Sequence, residues 1–395
     1  MPDRVQSGIR TCTLTPVIKR DAAVIGAGPG GLAAAAEIRR RGVDVVVIER
    51  ADEVAASWRG HYDRLQLHTV RWLSGLPGMR IPRHHGRWVS RDGVIDYLER
   101  YADHHDLDIR FGVEVDHIAR DNGGWRLATA SPEDLEARHV VVATGYNKEP
   151  FMPEFPGREG FTGELLHSSQ YRNGVPYRGR DVLVVGSGNT GAELAVDLVE
   201  AGAARVRLAV RTPPNIILKT SGGMPSQVVG VLTRHLPPRA ADRVLGPIQR
   251  LAVGDLTRYG VPRPERGVYT RLAEDDVVPI IDAGLIREVK RERVKVVPAL
   301  LGFDGEDVIL AGRERIQPDA VIVSTGYRRG LEPLVGHLGV LGANGRPLVR
   351  GADTHVNAPN MYFTGYTNPI SGMFREMAID ARRIGRAVAR DSSAA

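Results

Sequence analysis

Ala22-Ala23-Val24-Ile25-Gly26-Ala27-Gly28-Pro29-Gly30-Gly31 is the stretch whose reading decides the fold. An apolar strand runs into a glycine-rich turn. An alanine-rich helix is then predicted through about Arg41, followed by a second apolar strand from Val43 to Ile48. This is a strand–helix–strand unit with G-x-G-x-x-G at its first turn. Gly26 permits the tight turn, Gly28 lets the backbone approach a pyrophosphate, and Gly31 allows the helix to pack closely on the strand. The helix begins at Pro29-Gly30, and its amino end offers unpaired N–H groups and a dipole that favour negative charge.

The same pattern returns 160 residues later. Asp181-Val182-Leu183-Val184-Val185 leads into Gly186-Ser187-Gly188-Asn189-Thr190-Gly191, with a helix to about Ala201 and a strand from Ala204 to Val210. Two such units point to two different nucleotides. The residue ending each second strand separates them. Glu49, followed by Arg50, can accept hydrogen bonds from a free ribose 2′-hydroxyl and would repel a 2′-phosphate, which suits FAD or NAD. Arg211 offers a guanidinium to a 2′-phosphate, which suits NADPH.

Composition sets the outer limits. The chain has 395 residues, 42% hydrophobic and 25% charged, which excludes disorder and leads to an expectation of two domains. The single cysteine, Cys12, cannot form an internal disulfide, a C-x-x-C pair or a cysteine-ligated zinc cluster. No signal peptide or membrane-spanning stretch is read, so the expected location is cytoplasmic. The net charge of +6 comes from scattered arginines interleaved with acids, without an aromatic-flanked basic run, so nucleic acid is not an expected partner. No metal is expected either. His84-His85 and His104-His105 are adjacent pairs whose side chains should point apart.

Two nucleotides in one chain imply hydride transfer from a nicotinamide to a flavin. Disulfide reductases of this architecture pass the electrons to a cysteine pair, which a lone Cys12 does not supply. Ferredoxin-type partners would require iron–sulfur ligands here or on another protein, and quinone reductases of this class need a membrane-docking segment. Molecular oxygen is the simplest remaining acceptor.

Phe161-Thr162-Gly163-Glu164-Leu165-Leu166-His167-Ser168-Ser169-Gln170-Tyr171-Arg172 resembles the F-x-G-x-x-x-H-x-x-x-[YF]-[KR] signature of the flavin-containing monooxygenases, and lies between the two nucleotide motifs as in that family. Baeyer–Villiger enzymes carry Trp-Pro where this chain has Tyr171-Arg172. Val142-Ala143-Thr144-Gly145-Tyr146 and Val323-Ser324-Thr325-Gly326-Tyr327 resemble the family's paired T-G segments, and Phe363-Thr364-Gly365-Tyr366 is a third. Tyr62-Asp63-Arg64-Leu65-Gln66-Leu67-His68, Val94 to Glu99 and Tyr259 to Glu265 look closer to the plant YUCCA-type enzymes, which convert indole-3-pyruvate to indole-3-acetate.

That resemblance implies an NADPH- and O2-dependent flavin monooxygenase working through a C4a-(hydro)peroxyflavin on a small organic substrate. Nucleophilic oxidative decarboxylation of a 2-oxo acid and electrophilic N- or S-oxygenation both stay open. A GC-rich bacterial origin, read from the alanine and arginine content, associates such an enzyme with specialised metabolism. An NADPH oxidase or nucleotide-sensing flavoprotein is the alternative from another class. The cofactor supplies the hard chemistry and the protein supplies placement and dryness. His68 is the catalytic candidate, beside the flavin. Trp58, Leu67, Val115, Ala143, Thr144, Gly145, Gly365 and Ser371 are implied on the FAD side, with Thr325, Gly326 and Tyr327 at the crossing between domains. For His167 a structural, joining role is preferred over proton transfer.

The expected architecture is α/β, with two Rossmann-like domains: an FAD domain from residues 1–180 and 320–395, and an NADPH domain from 181–319 inserted into it. Two apolar, helix-spaced stretches around Val228 to Leu236 and Ala241 to Leu256, separated by Pro237-Pro238, form an insertion at about 213–259. It could cover the cofactor pocket, mediate homodimer contacts or cap the NADPH domain. A final helix from about Arg375 to Arg390 would aim its amino end at the flavin.

Overall fold

The computed structural model describes residues 17–129 and 134–393. Cys12 lies outside the described residues, as does most of the segment Met1 to Arg20. Two separate sheets carry the chain. The first has seven strands, ordered Asp108–Arg110, Val45–Ile48, Val17–Ile25, Asp134–Val142, Gly124–Thr129 and Val115–Asp121, with Met361–Phe363 also paired to Asp134–Val142. Its central strands are parallel, with Val24 opposite Val47 on one side and Val141 on the other. Both faces are covered, which is why these strands read as continuous apolar runs rather than alternating ones. Ala22, Ala23 and Val24 are all fully buried.

The second sheet is ordered Val294–Pro298, Arg205–Val210, Asp181–Val185, Ala320–Val323 and Glu164–His167, all parallel. It repeats the plan of the first. In each, the strand entering the glycine turn lies between the strand that ends at the charged residue (Glu49 or Arg211) and the strand that ends at a T-G turn. All residues of the second sheet lie between 164 and 323, and those of the first lie on either side.

The helix Pro29–Arg39 is buried from Gly30 to Ile38 because a second helix covers its outer side. That cover is the carboxy-terminal helix Met373–Ser393. Small residues on both sides permit the approach: a Cβ at Gly30 would meet Met377 Sδ at 3.1 Å, and one at Gly385 would meet the Glu37 carbonyl at 2.8 Å. A helix hydrophobic all round is the pattern expected of one enclosed between a sheet and a neighbour.

The insertion forms two helices, Ser226–Thr233 and Pro238–Val253, with Pro238 at the first position of the second, where a missing N–H costs nothing. The first helix lies across the other unit. The second packs Ala241 against Val268 and Tyr269 and leaves Val244, Ile248 and Leu251 exposed. The first helix is thus fastened to the other unit through Gln227, and the second packs on its own unit. Among the described residues no helix is long and apolar enough to cross a membrane.

Candidate active site

The two glycine turns are built alike. Gly26 and Gly186 have φ of +107° and +111°, which only glycine adopts without strain. A Cβ at Gly26 would meet the Ala143 carbonyl at 2.6 Å, and one at Gly186 would meet that of Ser324 at 2.4 Å. The T-G segments therefore close over the first glycine of each turn. A Cβ at Gly31 or Gly191 would sit 1.9 or 2.0 Å from the carbonyl of Gly26 or Gly186, which fixes the strand–helix distance. Gly28 and Gly188 cap the two helices in extended conformation with nothing within 4 Å of a Cβ. That open space above an unshared helix amino end fits a pyrophosphate in both places.

The strand ends differ as the sequence predicts. The Glu49 carboxylate accepts hydrogen bonds from the Ala27 N–H at 2.7 Å and the Ala51 N–H at 3.0 Å, which pins it beside the first turn. Arg50 pairs with Glu114 at 3.6 Å, and neighbouring Val115 is a core residue. Arg211 is exposed and has no carboxylate partner among the described residues. Ser187 donates to the Thr212 carbonyl at 3.4 Å, and the Asn189 side chain holds the backbone of Pro279 and Ile281. Thr190 stands in the first turn of the second helix.

Around the first turn, Tyr366 hydrogen-bonds Thr144 through both its backbone N–H and its hydroxyl, tying the first and third T-G segments. Burial pushes the Tyr366 phenol up to about 12, so it stays a neutral donor. Gly145, Gly326 and Gly365 share positive φ. Trp58 packs edge-on against Phe374 of the carboxy-terminal helix, and Leu67 is buried. Ser371 donates to Glu376 at the start of that helix.

The signature segment is a joint. His167 accepts from the Ser169 N–H at Nδ1, so Nε2 carries the proton and donates to the Gly326 carbonyl at 3.1 Å. Burial holds its pKa below the ordinary imidazole range. Tyr327 meets its ring edge-on, and Thr325 donates to the Phe151 carbonyl. Tyr171 donates to Asp197 at 2.6 Å, while Arg172 donates to the carbonyls of Arg59 and His61, and the Asp63 N–H to that of Arg172. The His167 side chain bonds Ser169 and Gly326 of its own surroundings; the contacts from this segment to the first unit come from Arg172, while Tyr171 fixes it to the helix Asn189–Ala201.

Three carboxylates the sequence reading passed over complete this seam. Glu193, Asp197 and Glu200 lie at i, i+4 and i+7 of the second glycine-turn helix, one stripe on a face turned to the other unit. Glu193, almost fully buried, accepts from Tyr62 at 3.1 Å and from His68 Nε2. Because a carboxylate only accepts, His68 must carry its proton on Nε2. Burial, with Glu193 second, raises Tyr62 well above the usual phenol range and keeps it a donor. Glu200 accepts from Arg64 at 3.0 Å. The visible signal for the stripe is its acidic spacing among the apolar residues Leu194, Ala195 and Leu198.

Gln227, from the first insertion helix, is a second missed residue. Its oxygen accepts from the Val70 N–H at 2.8 Å and its nitrogen donates to the Ser371 carbonyl at 2.8 Å. It thus covers the chain two residues past His68 and the start of the last helix together. Glu193 also lines a cleft of about 400 Å³ between the units.

One expectation is corrected. Adjacent histidines do not point apart here: the His84 and His85 rings are 4.1 Å apart and those of His104 and His105 4.8 Å. Arg83–His85 is a 3-10 turn, not a strand, so neighbours are not on opposite faces. With Asp96, the first pair brings three ligand-type atoms within 4.8 Å of one another, so the sequence argument against a metal does not hold there.

A family model described as pyridine nucleotide-disulphide oxidoreductase matches residues 23–221. Indole-3-pyruvate monooxygenase YUCCA1 of Oryza sativa subsp. japonica is 36% identical over 311 residues, 78% of this chain and 76% of that protein. A probable indole-3-pyruvate monooxygenase of Arabidopsis thaliana, YUCCA9, is 34% identical over 352 residues, 87% of this chain and 83% of that one. The solved flavin-containing monooxygenase of Stenotrophomonas maltophilia superposes with a TM-score of 0.71 at 23% identity, over 96% of this chain and 100% of that one, a likeness of fold. With two phosphate-type turns, a monooxygenase signature seated as their joint and relatives of this identity, the chain belongs to the flavin monooxygenase family, beside its YUCCA-type members, and is an oxidoreductase built for a flavin and a nicotinamide cofactor.

Proposed function

We propose that the protein uses FAD and NADPH to insert one atom of O2 into a small 2-oxo acid, with oxidative decarboxylation. The observation that carries the cofactor assignment is the contrast between two equivalent turns. Glu49 is pinned where a ribose with free hydroxyls would be bound, and Arg211 stands unpaired where a 2′-phosphate would be gripped. The two sheets favour a nested arrangement, with FAD on the outer segments and NADPH on the inserted one, but they shift the expected boundaries of 1–180, 181–319 and 320–395, because strands Glu164–His167 and Ala320–Val323 both belong to the inserted sheet. The choice of a 2-oxo acid over an amine or sulfide rests on the indole-3-pyruvate monooxygenases among the relatives and on the histidine at position 68.

A bound flavin and nicotinamide would supply the redox chemistry by which one atom of O2 goes to substrate and the other to water. The chain's own work is placement. Gly28 and Gly188 leave room for pyrophosphates at two helix amino ends. Glu193 holds His68 with its proton on Nε2, leaving Nδ1 free to accept. Gln227 and the helix that carries it keep water from the segments around Val70 and Ser371.

The test supplies the purified holoenzyme with NADPH, 18O2 and a panel of 2-oxo acids, amines and sulfides. The reading requires one 18O in a product acid one carbon shorter and CO2 released in step with NADPH consumed. Stoichiometric hydrogen peroxide with every substrate would make the protein an NADPH oxidase. Oxygenated amines or sulfides without CO2 would move it to the other branch.

A further inference from the structure

The cleft between the units holds five charged side chains: Asp63, Glu193, Glu200, Arg64 and Lys219. Four of them are already matched. Asp63 accepts from Arg91 at 2.6 Å and Asn173 at 2.8 Å; Glu200 accepts from Arg64 at 3.0 Å and Arg287 at 3.1 Å; Glu193 accepts from Tyr62 and His68. Lys219 has no carboxylate within ion-pair distance among the described residues. Its ammonium lies 4.4 Å from the centroid of the Trp88 ring, which restrains its position without neutralising it. Burial pulls its pKa below the ordinary lysine range, opposed in part by nearby Glu193.

A partly buried cation without a counter-charge is costly to keep, and an incoming anion relieves that cost. We propose that Lys219 is the anchor for the carboxylate of the substrate, so that the cleft selects small carboxylic acids. This rests on the 2-oxo acid reading above and deepens it. The anchor is joined to the candidate catalytic group through one residue, because Glu193 stands near Lys219 and bonds His68. The same carboxylate favours a monoanionic ligand over a phosphate dianion, which it would repel about twice as strongly. The nucleotide's phosphates already have the amino end of the helix Asn189–Ala201.

Calorimetric titration of the oxidised, NADP+-saturated holoenzyme with phenylpyruvate, and separately with its methyl ester, tests the assignment. Lys219→Met should weaken the acid by at least about tenfold, the loss expected for a charge-assisted hydrogen bond. It should leave the ester and the dissociation constant of NADP+ unchanged, and Lys219→Arg should recover part of the loss. Unchanged affinity for the acid in Lys219→Met overturns the proposal, as does a parallel loss of NADP+ affinity, which would put the ammonium on a nucleotide phosphate. If wild type neither binds nor turns over any 2-oxo acid, the functional reading falls and takes this with it. Wild-type turnover of the acid with unaltered binding in Lys219→Met removes the Lys219 assignment alone.

Discussion

The third and second glycines of each turn should fail in opposite ways when replaced by alanine. A Cβ at Gly31 would sit 1.9 Å from the Gly26 carbonyl oxygen and 3.3 Å from Val24 Cγ1, where real Cβ atoms essentially never come within 3.0 Å. The helix Pro29–Arg39 would have to back away by about 1.1 Å, and it is held from behind by the carboxy-terminal helix. Overpacking of this kind costs about 1–3 kcal/mol, which lowers the melting temperature of a protein this size by roughly 1–4 °C. At Gly28 a Cβ meets nothing within 4 Å, and φ of −85° with ψ of −179° is open to alanine. Gly28→Ala should therefore fold as well as wild type and lose flavin, because the methyl group occupies the approach of the pyrophosphate. The second turn supplies an internal control: Gly188→Ala should keep flavin and stability and weaken NADPH. Thermal melts of flavin-free and flavin-loaded protein, with the flavin-to-protein absorbance ratio, separate these cases. Equal loss of flavin-free stability in Gly28→Ala and Gly31→Ala, or full flavin retention in Gly28→Ala, would refute the reasoning.

Other outcomes follow from the same geometry. Arg211→Ala should raise KM for NADPH about tenfold or more while leaving NADH nearly untouched, the difference being one guanidinium–phosphate contact; equal effects on both nucleotides would show that Arg211 does not read the 2′-phosphate. Gln227→Ala strands a buried N–H at Val70 and a carbonyl at Ser371, costing about 1–3 kcal/mol for the buried groups, and should raise the fraction of NADPH lost as hydrogen peroxide by admitting water. Asp380 is a buried residue of the last helix, and burial raises its pKa to about 6 from an ordinary 3.8. The folded protein therefore binds more protons than the unfolded chain between those values, so this group's stabilising contribution is full below about pH 4 and lost as pH rises through 6, a change of about 2–3 kcal/mol. Denaturant melts of wild type and Asp380→Asn from pH 4 to pH 7 should converge in slope only if Asp380 is not the titrating group.

How much of this was legible depended on the distance between partners. Both glycine turns, both strand-end charges and the T-G turns were readable because each is a local backbone demand: Gly26 and Gly186 need positive φ, and Gly31 and Gly191 need the absence of a Cβ against a carbonyl five residues back. The helix Asn189–Ala201 ends where expected because Gly202 takes the left-handed conformation after it. Glu193 and Gln227 were missed because their partners are more than a hundred residues away, and only folding makes them neighbours. The histidine pairs were misread because adjacent side chains were taken to point apart, whereas His84 and His85 share a 3-10 turn and His104 and His105 a helix end, where neighbours are not on opposite faces. The role of the insertion stayed open in the sequence because its helix spacing shows that an apolar face exists and not what it lies against.

The acidic stripe on the helix Asn189–Ala201 makes that helix a lever. Its amino end carries the second glycine turn, while its flank is fastened to the other unit by Tyr62, Arg64 and His68. Hydrogen bonds to a carboxylate can be handed over to water at a net cost of about 1.5–3 kcal/mol each. Three such fastenings put the price of swinging the helix at about 5–9 kcal/mol. A tilt of the helix at its amino end, the site proposed for NADPH, would reach the His68 imidazole through Glu193.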